Sequence, residues 1–406
     1  MTAGIAALAA AYILSQFYRS FLAVLTPVLT DELGATKADL SVASGTWFIV
    51  FALMQFAVGV SLDRYGPKRT ASLLLAFGAG GGSLLFALAF SPGMIIAAMA
   101  LIGIGCSPVL MASLFIFAKS FSPARFATLS STLIGIGTMG NVIGASPLAA
   151  AAEAFGWRGV MLGLGLVTLA VAAAIFFFVR DPATEEGTAG NSGLSGYLEL
   201  LKIPLLWPIL PLTALTYAAA AGIRGLWAGP YLAEVHGADA LVIGQVTLFM
   251  ALAMAAGSFI YGPLDTLFGT RKWVALAGNF LSLCALAWLA AFPLAGIGNI
   301  TIALVLVGIF GGGFGLMIAH GRAFLPPHLT GRGVTLLNFF AIGGVGLMQF
   351  AAGWIVVAAN VPGEPAAAYR ALFIFYASAL ALALAVYLWS RDARPERGPL
   401  AEIARR

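Results

Sequence analysis

Charge is what this sequence has least of. Asp, Glu, Lys and Arg make up 9% of its 406 residues, against roughly 25% in soluble domains. The hydrophobic share is 61% and the mean hydropathy +0.99, which excludes an ordinary soluble domain and implies a polytopic membrane protein. Cysteine is nearly absent too. Cys106 and Cys284 both sit inside apolar runs, so neither a disulfide framework nor a thiolate metal cluster is credible. No G-x-x-x-x-G-K-[ST] loop, metal-hydrolase motif or nucleophile elbow occurs, leaving no basis for enzymatic chemistry, ATP-driven pumping or a cofactor. The net charge of +5 does not signal nucleic acid, because its distribution along the chain has a simpler cause.

Acidic side chains are missing from one place in particular: no Asp or Glu falls inside a long apolar stretch. Arginine does, twice, with Arg19 in SQFYRSFLAVLTPVL and Arg224 in YAAAAGIRGLWAGPYL. A charge at bilayer depth costs about 2.5–3.5 kcal/mol on insertion scales. Two such charges without carboxylates imply that the counter-charge is the cargo.

A helix crosses a bilayer with about 20 apolar residues. Such windows fall near 4–29, 39–62, 70–91, 94–117, 126–149 and 157–179, then near 205–232, 241–262, 273–293, 299–320, 332–358 and 368–390. The chain enters the first window directly, so it is read as a span rather than a cleaved leader. The expected architecture is all-α, twelve transmembrane helices in two six-helix bundles. Residues 1–179 form the first bundle, 180–203 a cytoplasmic linker, 204–390 the second bundle and 391–406 a cytoplasmic tail. Of 21 Lys and Arg, two lie in spans, three (Lys37, Arg158 and Arg370) fall on one side, and the remaining sixteen on the other. The positive-inside rule then puts both termini in the cytoplasm of an inner, or plasma, membrane.

The halves repeat. Tyr12 and Arg19 match Tyr217 and Arg224 in spacing; Gly59 to Arg69 (GVSLDRYGPKR) matches Gly262 to Lys272 (GPLDTLFGTRK); and Lys119, Phe121 and Pro123 match Arg322, Phe324 and Pro326. Repeats of this kind place substrate near the midplane.

With these motifs the chain resembles the major facilitator superfamily over essentially its whole length. Gly59, Asp63, Arg64, Gly66, Lys68 and Arg69 are similar to that family's G-x-x-x-D-R-x-G-[RK]-[RK] loop, with Pro67 as a departure. The second copy keeps Asp265, Gly269, Arg271 and Lys272 but has Thr266 in place of the arginine. The resemblance implies a secondary transporter working by alternating access. Gly59, Asp63, Arg64, Gly66, Lys68, Asp265 and Arg271 would close its inner side, the second copy more weakly. Gly135, Gly137, Gly140, Gly144 and Pro147 resemble the family's Gly/Pro-rich fifth helix, and close helix packing explains them.

At helical spacing, Tyr12, Gln16 and Arg19 share one face of span one, and Tyr217, Arg224 and Tyr231 one face of span seven. Guanidinium forks match carboxylate or phosphate oxygens. The arrangement resembles the organophosphate and organic-anion exchangers of the superfamily. Arg19 and Arg224 are therefore expected to hold a small organic or phosphate-type anion, with Tyr12, Gln16, Tyr217, Trp227, Tyr231, Asn141 and Asn338 around it. Gln55, Gln245, Asn279 and Gln349 read as interhelical hydrogen bonders.

With no carboxylate in a span to carry a proton, exchange of anions is the expected coupling. His320 is expected at a solvated inner rim. The chain is expected to act as a monomer, with no partner beyond cargo and bilayer. Two other readings stand: soft-metal (copper) import through Met250, Met254, Met317 and His320, and carriage of an aromatic vitamin-like or drug-like solute by residues such as Trp47, Tyr217 and Trp227.

Overall fold

The computed structural model describes residues 2–121, 123–181, 195–326 and 329–394. Among these the backbone is helical almost throughout; the only β feature is an isolated bridge between Val361 and Glu364. Among the described residues nine helices are long and apolar enough to cross a bilayer: Lys37–Leu62, Pro67–Ala87, Pro92–Ser120, Ser146–Phe178, Ala240–Phe268, Lys272–Ala291, Ile297–Arg322, Gly331–Ala358 and Pro365–Tyr387. Ala3–Phe17 and Leu22–Leu33 make a tenth span bent by 53°. Span five begins with the helix Pro123–Ile143, whose apolar described part is Thr132–Ile143, and runs on from Ser146 to Gly156, where the helix Ser146–Phe178 is kinked (φ +69°). Span seven is divided into Leu210–Thr216, Ala218–Gly222, a π-helical turn Ile223–Trp227, and Ala228–His236. That completes twelve.

Among the described residues five spans are interrupted: span five, at Gly144 and Ala145, and the first and fourth of each half. Span one leaves the helix after Phe17 and resumes at Leu22, span four breaks at Ser107 and Pro108, span seven at Tyr217, and span ten at Gly312 and Gly313. Span three stays continuous but widens to a π-helix over Leu75–Gly80. Single π turns inside α-helices concentrate at functional sites.

Contacts divide the chain into two compact units. The first contains Met1–Ser192, Gly225–Ala233 and Ala238–Leu248; the second contains Gly193–Arg224, Glu234–Gly237 and Phe249–Arg406. The division does not fall at a single point, because the later part of span seven and the start of span eight join the first unit.

In the first unit, span two starts from a capping box: Asp39 N donates to Thr36 Oγ1 at 3.2 Å, and Thr36 N to Asp39 Oδ2 at 3.0 Å. Span five packs on span one without room for side chains; a methyl at Gly140 would lie 2.0 Å from the Ile13 carbonyl oxygen. Spans three and four meet as closely, a methyl at Gly105 falling 2.0 Å from Ala79 N. Glu32, at the end of span one, accepts from Trp157 Nε1 at 3.0 Å and pairs with Arg158, tying span one to span six.

In the second unit, polar side chains bridge the helices. Thr216 Oγ1 donates to Asn279 Oδ1 at 2.7 Å, joining spans seven and nine, and Gln349 Nε2 donates to Gly222 O at 3.2 Å, joining spans eleven and seven. Gly222 lies just before the π turn, where the regular ladder changes register. The short helix Ser195–Leu201 packs Leu200 against Leu329 and Leu336 of the span-eleven end. Most of the linker, 182–194, and the tail from 395 lie outside the described residues.

Candidate functional site

Arg19 sits in the break of span one, between Phe17 and Leu22. Tyr18 N to Leu14 O (3.0 Å), Arg19 N to Gln16 O (3.4 Å) and Ser20 N to Phe17 O (3.1 Å) carry the backbone bonding into it. Arg19 thus follows Gln16 through a tight turn rather than a regular helix. Tyr12 and Gln16 do stay together, Gln16 Nε2 donating to Tyr12 OH at 3.0 Å. Span seven is likewise irregular at its arginine, with a break at Tyr217 and a π turn containing Arg224.

The half-buried Arg19 guanidinium packs on aromatic faces of span two, its Cζ 4.9 Å from the Phe51 ring centre and 5.6 Å from that of Trp47. Those rings stack on each other at 5.1 Å and 19°. Cation–π contacts of this kind are worth up to about 2 kcal/mol when desolvated. Among the described residues no carboxylate pairs with Arg19, and its Nε is buried without a hydrogen-bond partner. Phe51 and Trp47 replace water around the charge without neutralising it.

Trp227 and Tyr231 are buried at 1% exposure each and belong to the first unit. The span-seven segment that carries them runs along span one; methyls at Gly225 and Gly229 would lie 3.1 Å from Arg19 O and 2.0 Å from Ala23 O. Asn141 is half-buried on span five. In the second unit, Arg224 is buried at 2% exposure on the π turn, and the half-buried Tyr217 sets its ring 5.9 Å from Phe314 beside the break of span ten. Asn338 is half-buried on span eleven.

Of the motif residues, the Asp63 side chain lies outside the described residues, although its backbone belongs to the helix Lys37–Tyr65. Arg64 stacks on Tyr65 with its Cζ 5.4 Å from the ring centre, and Lys68 Nζ lies 4.8 Å over Phe176. Close approach does not explain Gly59, since a methyl there meets nothing within 4 Å. Gly66 is required, with φ +82° and the Asp181 carboxylate against it. Asp181 accepts from Lys68 N at 2.7 Å, capping span three from beyond span six. In the second copy Asp265 pairs with Arg271 Nε at 3.1 Å and accepts from the Thr266 hydroxyl. Arg271 Nη1 also donates to Ala319 O on span ten, at 3.3 Å.

His320 does not lie at a solvated rim. It is fully buried, with Nε2 2.9 Å from Arg391 O and Nδ1 2.7 Å from Tyr387 OH. Both ring nitrogens are thus engaged, so neither is available to the soft-metal set. Met250 and Met317 are buried and Met254 is half-buried, all in the second unit with His320.

Sequence reasoning missed Phe51, Asp181 and Asp392. The signal for the two acids was present as Arg-Asp dipeptides, Arg180-Asp181 and Arg391-Asp392, immediately after spans six and twelve. Phe51 carried no such signal among 29 phenylalanines.

The Major Facilitator Superfamily profile matches residues 8–228 and 209–405. The "Probable sulfoacetate transporter SauU" of Cupriavidus necator is 22% identical, over 69% of this chain and 70% of its own. The sialic acid transporter NanX of Escherichia coli is 23% identical over 82% of each, and a hexuronate transporter of Bacillus subtilis 23% identical over 61% of each. Among solved structures, a bacterial homologue of the human lysosomal transporter Spinster, inward-facing and occupied, superposes with a TM-score of 0.77 at 19% identity, covering 95% of this chain and 96% of that one. A D-xylose–proton symporter superposes at 0.75 with 11% identity, over 98% of each chain. At such identities the structural likeness concerns the fold alone.

Proposed function

The chain belongs to the major facilitator superfamily, and from that premise we propose that this transporter carries a small organic anion by alternating access, exchanging one anion for another. One observation supports the cargo's sign above the rest. Arg19 keeps a half-buried guanidinium on an aromatic bed, with no carboxylate partner among the described residues. The names of the relatives point the same way, since sulfoacetate, sialic acid and hexuronate are all anions.

In this reading Arg19 and Arg224 bind the anionic groups, and Tyr12, Gln16, Asn141, Tyr217, Trp227, Tyr231 and Asn338 shape the cavity. The halves are residues 1–179 and 204–390, joined by the linker 180–203, with both termini in the cytoplasm of the inner membrane and the monomer as working unit. Gly59, Asp63, Arg64, Gly66, Lys68, Asp265 and Arg271 close the inner side. Exchange follows from charge: an empty cavity holding uncompensated guanidinium resists closure, and a loaded one does not. In proteoliposomes, a labelled organic acid should leave faster when an anion is supplied on the opposite side. Efflux indifferent to the trans anion would remove exchange, and binding of organic acids unaltered in Arg19→Ala would remove the cargo site.

A further inference from the structure

We propose that Gln55 is a specificity-determining acceptor beside Arg19, and that the cargo is a hydroxylated organic acid that donates a hydroxyl to it. The inference rests on the anion reading above and goes further, because it fixes a second chemical feature of the cargo. Trp47, Phe51 and Gln55 are spaced by four on the unbroken helix Lys37–Tyr65 and so form one stripe. The Arg19 guanidinium lies over the first two. Gln55 follows one turn on, about 6 Å along the axis.

The orientation of the Gln55 amide follows from its partners. Its Nε2 contacts two carbonyl oxygens, Phe51 O at 3.4 Å and Ser107 O at 3.2 Å. Both are acceptors, so the nitrogen must face them and the oxygen must face away. Ser107 stands where span four is interrupted, which explains why its carbonyl needs a side-chain donor. The remaining atom, Oε1, is buried with no donor among the described residues, on a side chain 2% exposed. At the other end of the stripe, the Trp47 indole N–H is a buried donor without an acceptor among the described residues, on a side chain fully buried.

In order along span two, the stripe therefore offers a donor, an aromatic bed bearing a positive charge, and an acceptor. The charged groups of phosphomonoester dianions and simple carboxylates present only acceptor atoms, and these would set lone pairs against Gln55 Oε1. An acid with a hydroxyl near its charged group meets all three: its anionic oxygens face Arg19 and Trp47, and its O–H donates to Gln55.

Purified full-length protein should be tested by thermal shift against three matched pairs: L-lactate and propionate, L-malate and succinate, D-gluconate and hexanoate. The expected result is that at least one hydroxylated acid binds tenfold or more tightly than its deoxy partner. That ratio should fall below threefold in Gln55→Met, while Arg19→Ala loses both members of the pair. If Gln55→Met is not monodisperse, Gln55→Asn, which withdraws the amide by one carbon, should lower the ratio in the same direction. Equal binding within every pair, or a preference unaltered by either Gln55 variant while Arg19→Ala still abolishes binding, would overturn the subsite and leave the anion reading standing. Wild-type protein that binds none of the six acids would contradict the anion reading and remove the subsite with it.

Discussion

Asp392 caps span nine from outside its own helix: its Oδ1 accepts the backbone N–H of Lys272 at 2.9 Å. Arg271 N donates to the same oxygen at 3.2 Å, and Thr270 Oγ1 to the other at 2.6 Å. Arg271, at the N-cap position, makes no such bond with its own side chain. The carboxylate beyond span twelve thus satisfies helix-end donors that the local sequence leaves open. Asp392→Ala should lower stability by about 0.5–1 kcal/mol, the lower part of the range for lost caps because the site is exposed. Thermal unfolding of the purified protein measures this directly.

The same carboxylate gives a pH dependence of definite sign. Burial pushes the Asp392 carboxyl up, but the Thr270 hydroxyl and the N–H groups of Lys272 and Arg271 outweigh it and hold the carboxyl below its ordinary value of 3.8. A carboxyl depressed in the folded state contributes its full stability above the unfolded value and loses it as pH falls through the folded one. The melting-temperature gap between wild type and Asp392→Asn should stay constant above about pH 5 and close below about pH 4. A gap that widened on acidification would contradict the assignment.

Glycine by glycine, the structure ranks sites differently from the motif. Gly105→Ala would set a methyl 2.0 Å from Ala79 N, a backbone atom on the neighbouring span. Overpacking of that kind costs about 1–3 kcal/mol, and the variant should melt correspondingly lower. Gly59→Ala meets open space and removes a helix-interior glycine, so it should be neutral or stabilising by up to about 1 kcal/mol.

Tyr387 and His320 should behave as one unit. Because His320 Nε2 faces the Arg391 carbonyl, the ring proton sits there, and Nδ1 accepts from the Tyr387 hydroxyl. Tyr387→Phe leaves a buried acceptor unmet and should cost about 1–3 kcal/mol. Adding Tyr387→Phe to His320→Phe should cost less than it does alone, by about 0.5–3 kcal/mol in a double-mutant cycle.

The fold was largely legible because twelve apolar runs and a doubled loop motif are coarse signals that survive errors of a few residues at each boundary. The site was less so. Helical spacing assumes unbroken helices, and the chain breaks or widens at the two places, Tyr18–Phe21 and Ile223–Trp227, where the arginines lie. Neither Phe51 beneath Arg19 nor Asp392 above span nine could be read from periodicity, since both act across helices far apart in sequence. Gln55, Asn279 and Gln349, read as interhelical hydrogen bonders, do bond across helices, two of them to carbonyls beside an interruption or a change of helix register.

Biogenesis inherits a difficulty from the arginine in the break of span one. That segment enters the bilayer ahead of span five, carrying a charge that costs about 2.5–3.5 kcal/mol and backbone groups cut loose from their ladder. The surface that shelters it, where Gly137 and Gly140 of span five press against Tyr12 and Ile13, is not synthesised until four spans later. The ribosome must therefore deliver span one before its span-five support exists, which leaves the segment open to co-translational quality control in the interval.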